Sequence, residues 1–166
     1  VQKMTREQEL EGLGAVGIQL TGKQLLIFRF YRLPDPKLYP NELRKMHWAV
    51  RSEHEKTART EAYYLGMLVQ AGMPVLKYHC EVMFNVVPSS KGKYKVRDLD
   101  GMISAVKPWL DGLCLPQKDG DIGCGLLFDD DCWHMLSLRA TAREANVDQT
   151  VISIHPVVWA KEYQDV

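Results

Sequence analysis

The sequence predicts a single α+β (mixed α/β) domain in which a mixed sheet is packed by about two helices, and three observations carry this. The 166 residues are 46% hydrophobic and 25% charged, a mixture able to bury one core. Residues 75 to 87 alternate apolar and polar side chains with a period of two, whereas residues 99 to 113 repeat their apolar positions at helical spacing. Strand and helix signals mix without regular βαβ alternation, and no internal repeat is present.

The first 22 residues are polar and then glycine-rich, and they read as a flexible lead-in to a domain over residues 23 to 158, with 159 to 166 as a C-terminal tail. Val1 to Lys3 precede Met4 and carry no weight. Gly12-Leu13-Gly14-Ala15-Val16-Gly17 matches G-x-G-x-x-G, but such a loop cradles a pyrophosphate only between a buried strand and a helix. Here a polar segment precedes it and a strand-like one follows, so no nucleotide cofactor is expected.

Leu25 to Tyr31 reads as a strand, stopped by Leu33-Pro34-Asp35-Pro36 because proline cannot donate to a ladder. A long helix is expected from Asn41, a favourable N-cap, towards Gly72. On that helix Arg44, His47, Arg51 and His54 form one basic stripe, with Trp48, Ala62, Leu65, Met67 and Leu68 as apolar contacts. Glu55 falls close to the stripe, so a salt-bridged solvent face competes with a polyanion-binding one.

In the strand from Val75 to Val87, Leu76, Tyr78, Cys80, Val82, Phe84 and Val86 share the buried face. Lys77, His79, Glu81 and Asn85 point the other way. Pro108 is expected to kink or break the helix that follows. Two further strands, about His134 to Thr141 and Val151 to Val158, flank the turn-rich segment 143 to 149 and should pair as a hairpin.

Lys+Arg and Asp+Glu number 21 each, so the chain as a whole has no electrostatic reason to seek a polyanion. The distribution tells more. Residues 42 to 97 hold ten basic and five acidic side chains, a net charge of +5, and residues 98 to 131 hold eight aspartates against Lys107 and Lys118, a net charge of −6. Paired patches of this kind suit a metal-dependent enzyme acting on a polyanion, and equally two solvated faces. No apolar run reaches the roughly 18 residues of a membrane span and the N-terminus is polar, so a cytoplasmic protein without a membrane partner is expected. Cys80, Cys114, Cys124 and Cys132 form no C-x-x-C pair and read as reduced thiols; Cys124, Cys132 and His134 lack zinc spacing and a fourth ligand.

Chemistry concentrates at Asp98-Leu99-Asp100. In an extended segment the two carboxylates project on one side, and like charges held together call for a cation such as Mg²⁺, which takes oxygen ligands and completes its shell with phosphate oxygens. On a helix begun at Asp100, Lys107 and Asp111 fall about 20° to either side of it, placing a lysine beside the carboxylates where it suits a phosphodiester transition state. Just upstream, Lys91, Lys93, Lys95 and Arg97 alternate with Gly92, Tyr94 and Val96, so in extended backbone all four cations face one side and lead into Asp98.

These pieces resemble the RusA-like Holliday junction resolvases of phages and prophages. That family's pattern is Asp-x-Asp-Asn, a lysine in K-x-x-x-D-[AG]-L, then a glycine and, after three intervening residues, Asp-Asp. This chain reads Asp98-Leu99-Asp100-Gly101, Lys107-Pro108-Trp109-Leu110-Asp111-Gly112-Leu113 and Gly125-Leu126-Leu127-Phe128-Asp129-Asp130. Leu33-Pro34, Pro40-Asn41 and His47-Trp48, followed by Arg51, Lys56 and Arg59, resemble its proline-rich segment and basic helix.

The resemblance covers roughly residues 25 to 157. It implies a Mg²⁺-dependent endodeoxyribonuclease of DNA recombination and repair, with Mn²⁺ as a substitute, acting as a homodimer on branched DNA by paired nicks. It further implies Asp98, Asp100 and Asp130 as converging metal-binding catalytic carboxylates and Lys107 as the lysine at the scissile phosphate. Asp129 and Asp111 stand in a second tier, and Lys91, Lys93, Lys95, Arg97, Arg44, His47 and Arg51 are the DNA-binding candidates. Gly101 stands where the family has Asn, which favours the alternative of a branched-DNA-binding protein of the same fold that does not cleave.

Overall fold

The computed structural model describes residues 15 to 20, 23 to 69, 74 to 88 and 98 to 160. Its elements in chain order are β1 (Ala15–Leu20), β2 (Lys23–Phe30), a single 3-10 turn (Pro36–Leu38), α1 (Pro40–Leu43), α2 (Trp48–Met67), β3 (Val75–Val86), α3 (Leu99–Ala105), α4 (Lys107–Leu113), β4 (Met135–Glu144) and β5 (Gln149–Trp159). The class is α+β, with one five-stranded mixed sheet in the order β1-β2-β5-β3-β4. No helix among the described residues is long and apolar enough to cross a membrane.

β3 is the strand at which the sheet turns from antiparallel to parallel. It pairs antiparallel with β5 on one side and parallel with β4 on the other. Its period of two holds: Tyr78, Cys80, Val82 and Phe84 are buried, and Lys77, His79 and Glu81 are exposed. Asn85 departs from the pattern, for it is buried, donating to Gln149 Oε1 at 3.0 Å and accepting from Arg143 Nε at 2.6 Å.

The expected β4–β5 hairpin does not form, because β3 lies between the two strands. Their link passes over the end of β3, where Ala145 N donates to Val86 O and Val87 N to Asp148 Oδ1, both at 2.9 Å. The lead-in is corrected too: residues 15 to 20 are an antiparallel partner of β2, so Ala15, Val16 and Gly17 belong to a strand and not to a phosphate loop. The tail begins later than expected, since Trp159 still pairs with Val75.

The helices cover one face of the sheet. Trp109 of α4 stacks on Phe30 of β2 with ring centroids 4.0 Å apart, in a core that also holds Leu26, Phe28, Tyr78, Ile152 and Ile154. Its indole Nε1 donates to Glu61 Oε2 at 3.2 Å, which also receives Arg32 NH2. Removing a buried tryptophan costs about 3–5 kcal/mol, several times the worth of an exposed ion pair, so packing rather than charge sets the place of α4.

The long helix begins at Trp48, not Asn41. His47 is extended and its Nδ1 accepts the Ala49 N–H at 3.3 Å, capping α2, while Asn41 sits inside the one-turn α1. The buried stripe of α2 consists of the small residues Ala58, Ala62 and Gly66 at i, i+4 and i+8, which lets neighbours approach closely. Trp48 and Met67, expected as apolar contacts, are exposed instead, Trp48 by 75%.

Candidate active site

The first turn of α3 reorganises the Asp98-Leu99-Asp100 motif. Asp98 is the N-cap, its Oδ1 accepting the Gly101 N–H at 2.5 Å, and Asp100 already lies within the helix. The two carboxylates are therefore not alternate residues of one extended segment, which corrects the expected same-side pair: an aspartate ahead of a helix satisfies an orphan backbone donor. Gly101 has a packing reason. A Cβ there would meet Tyr39 Cδ2 at 2.8 Å and Asp98 Oδ1 at 3.0 Å.

Pro108 breaks the helix as expected. α3 ends at Ala105, Val106 forms the joint, and α4 starts at Lys107 with the proline in its first turn, where its missing N–H costs nothing. The continuous stripe of Asp100, Lys107 and Asp111 is thereby interrupted, but the Lys107–Asp111 pair survives within α4, Nζ to Oδ1 at 2.8 Å.

The acidic run 129 to 131 is delivered by a short extended segment threaded between two elements. Val75 N donates to Leu126 O and Phe128 N to Val75 O on one side; Leu127 N donates to Leu113 O and Leu115 N to Leu127 O on the other. Tyr78 Oη then donates to the Asp129 carbonyl at 2.7 Å. Held in this way, Asp130 brings Oδ2 to 2.5 Å from Lys107 Nζ. Asp129 turns back, its Oδ1 accepting the Asp130 N–H at 2.7 Å.

The cluster continues on both flanks. Arg59 NH2 of α2 lies 3.0 Å from Asp111 Oδ2. Asp131 Oδ1 accepts the N–H groups of Trp133 and His134 and lies 2.6 Å from His134 Nδ1, whose ring stacks on Phe128. Partial burial pulls the Lys107 ammonium towards lower values, and its bonds to Asp111 and Asp130 outweigh that, leaving its pKa raised. Desolvation lifts the Asp131 carboxyl slightly, but hydrogen bonds from His134 and the Trp133 N–H hold it below the ordinary carboxylate value. Burial first, then the charges of Asp130, Asp111 and Asp129, push the Cys114 thiol far up.

Asp129, Asp131 and His134 form the one three-ligand group found among the described residues, their ligand atoms all within 4.8 Å of one another. Asp98, Asp100 and Asp130 do not form one, nor do Cys124, Cys132 and His134. The all-oxygen triad expected for Mg²⁺ is thus not assembled. The group that does meet combines two carboxylates with an imidazole, a donor set that suits Mn²⁺ better than Mg²⁺. Its sequence signal was Asp131 and His134 three residues apart.

No protein-family model, curated protein or solved structure matches this chain.

Of the DNA-binding candidates, Lys91, Lys93, Lys95 and Arg97 lie outside the described residues. Arg44 is exposed ahead of α2, and His47 is the cap. Arg51 pairs with Glu55, Nε to Oε1 at 3.0 Å, so its position is that of the salt-bridged solvent face. Arg44, His47, Arg51 and His54 do not share one helical stripe, because the first two precede the helix.

Proposed function

We propose that the chain is a metal-dependent, structure-selective DNA endonuclease that resolves Holliday junctions or other branched DNA by paired nicks, as the RusA-like resemblance implies. The observation that carries the reading is the contact of Lys107 with Asp130, two residues the resemblance assigns to one reaction centre and the chain supplies from separate elements. A lysine ammonium at a partly open rim offers charge to the negative oxygens of a phosphodiester transition state. Asp129, Asp131 and His134 are the side chains that would hold a divalent ion, which when bound activates water and neutralises the leaving oxygen. Asp111 keeps Lys107 oriented, and Arg44 offers a cation to the DNA backbone.

A homodimer follows from the resemblance and suits a junction with two equivalent strands. In its favour, β4 ends the sheet and carries Leu136 and Leu138, both nearly half exposed, on an edge that a second copy could cover.

The test is a nicking assay on a synthetic four-way junction with Mg²⁺, with Mn²⁺ and with chelator. The expected result is paired, metal-dependent nicks that Lys107→Met and Asp130→Asn abolish while junction binding persists. Absence of metal-dependent nicks by the unmodified chain rejects the reading. A non-cleaving branched-DNA-binding protein is then favoured, for which the unassembled Asp98, Asp100 and Asp130 triad is the specific support.

A further inference from the structure

We propose that Arg59 is a positioning residue for Lys107, acting through Asp111; the catalytic consequence rests on the nuclease reading above. Arg59 NH2 lies 3.0 Å from Asp111 Oδ2, and Lys107 Nζ lies 2.8 Å from Asp111 Oδ1. Lys107 Nζ in turn reaches Asp130 Oδ2. A single carboxylate thus serves two cations through its two oxygens, and the plane of that carboxylate decides where the ammonium sits.

Lys107 needs such a guide. It is a flexible stem with three rotatable donors, more than half exposed, at the first residue of its helix. Arg59 is better fixed, because it belongs to the 20-residue α2, and its own backbone lies close against Gly112 of α4. Gly112 permits the crossing: a Cβ there would meet the Arg59 carbonyl oxygen at 2.3 Å.

The way Arg59 binds also argues against a simple interhelical clamp. A guanidinium that only clamps a carboxylate gains most from a two-pronged contact. Here one NH2 engages one oxygen, the other oxygen is left to Lys107, and Arg59 Nε stays buried without a hydrogen-bond partner among the described residues. The arrangement serves Lys107 at the expense of Arg59.

The experiment uses the full chain on a synthetic four-way junction under single turnover with Mn²⁺, comparing Arg59→Gln, Arg59→Lys, Asp111→Asn and the double variant Arg59→Gln with Asp111→Asn. Arg59→Gln should slow the maximal rate about tenfold while junction affinity stays within about twofold, and Arg59→Lys should restore most of the rate. The double variant should be no slower than Asp111→Asn alone. An affinity loss equal to the rate loss would make Arg59 a DNA contact, and multiplied losses in the double variant would remove Asp111 from the path; either overturns the proposal.

A urea-denaturation cycle of Arg59→Gln and Lys107→Met separates this inference from the nuclease reading. The two costs should be non-additive in the natural chain and additive in the Asp111→Asn background. If the unmodified chain does not cut, the nuclease reading falls, and the cycle decides alone: additive costs in both backgrounds overturn the positioning role.

Discussion

Lys107 and Asp130 are separated by 23 residues in the chain and by 2.5 Å between Nζ and Oδ2. Asp130 is only 16% exposed and Asp111 21%, so the lysine is a cation that two largely hidden carboxylates share. Lys107→Met should therefore lower stability by about 1 kcal/mol, and adding Asp130→Asn should recover part of the loss by removing the repulsion. Urea midpoints of the two variants and the unmodified chain check this; a double variant less stable than the single one would contradict it.

Gly101→Asn, which installs the residue of the resembling family, should destabilise the fold by about 1–3 kcal/mol, because the new Cβ would press on the Tyr39 ring at 2.8 Å. Combining it with Tyr39→Ala should relieve the clash with the ring and leave the loss of the tyrosine and the 3.0 Å approach to Asp98 Oδ1. Thermal melting of the three variants reads the outcome.

Titration with Mn²⁺ should broaden the ring resonances of His134 before those of the other histidines, since its imidazole meets Asp129 and Asp131 within 4.8 Å. Asp131→Asn should weaken that effect and Asp98→Asn should leave it unchanged. Broadening that depends on Asp98 instead would place the ion at the start of α3.

Burial pushes the Cys80 thiol up to about 12, and Glu81 adds to the shift. At pH 8 a thiol reagent should modify the exposed Cys132 quickly and reach Cys80 and Cys114 only after denaturation. The linked stability has a definite sign: a thiol protonated in the fold and ionised when unfolded stabilises fully below its ordinary value of 9.0, and that contribution fades as pH rises towards 12. Cys80→Ala should flatten the alkaline fall of the urea midpoint across this window.

What could be read from the chain was governed by how local the cause is. The period of β3, the break at Pro108 and the Lys107–Asp111 pair depend on neighbours within a turn or a strand, and each is present. Asp98 misled because the spacing of two residues is silent on whether a helix starts between them, and the cap decides that. The helix start at His47 escaped because imidazole is an uncommon cap beside a favourable Asn41. β4 and β5 misled for the opposite reason: adjacency and a turn suggest a hairpin, whereas the choice of β3 as shared neighbour is made by buried side chains far upstream.

The insertion of β3 between its two later partners has a kinetic consequence. His79 meets Ser137 across 58 residues and Asn85 meets Gln149 across 64, so neither edge of β3 is satisfied by anything nearby in the chain. Such non-local pairing gives the domain a high contact order and puts its refolding towards the slow, millisecond-to-second end for its size. On the ribosome β3 emerges with both flanks open and stays so until β4 and β5 have been synthesised, and during that interval the acidic segment threaded beside Val75 has no finished sheet to rest on. The cluster around Lys107 and Asp130 is therefore completed with the sheet, in one late step, and a nascent chain interrupted before β5 is a species prone to associate through the strand that should become its core.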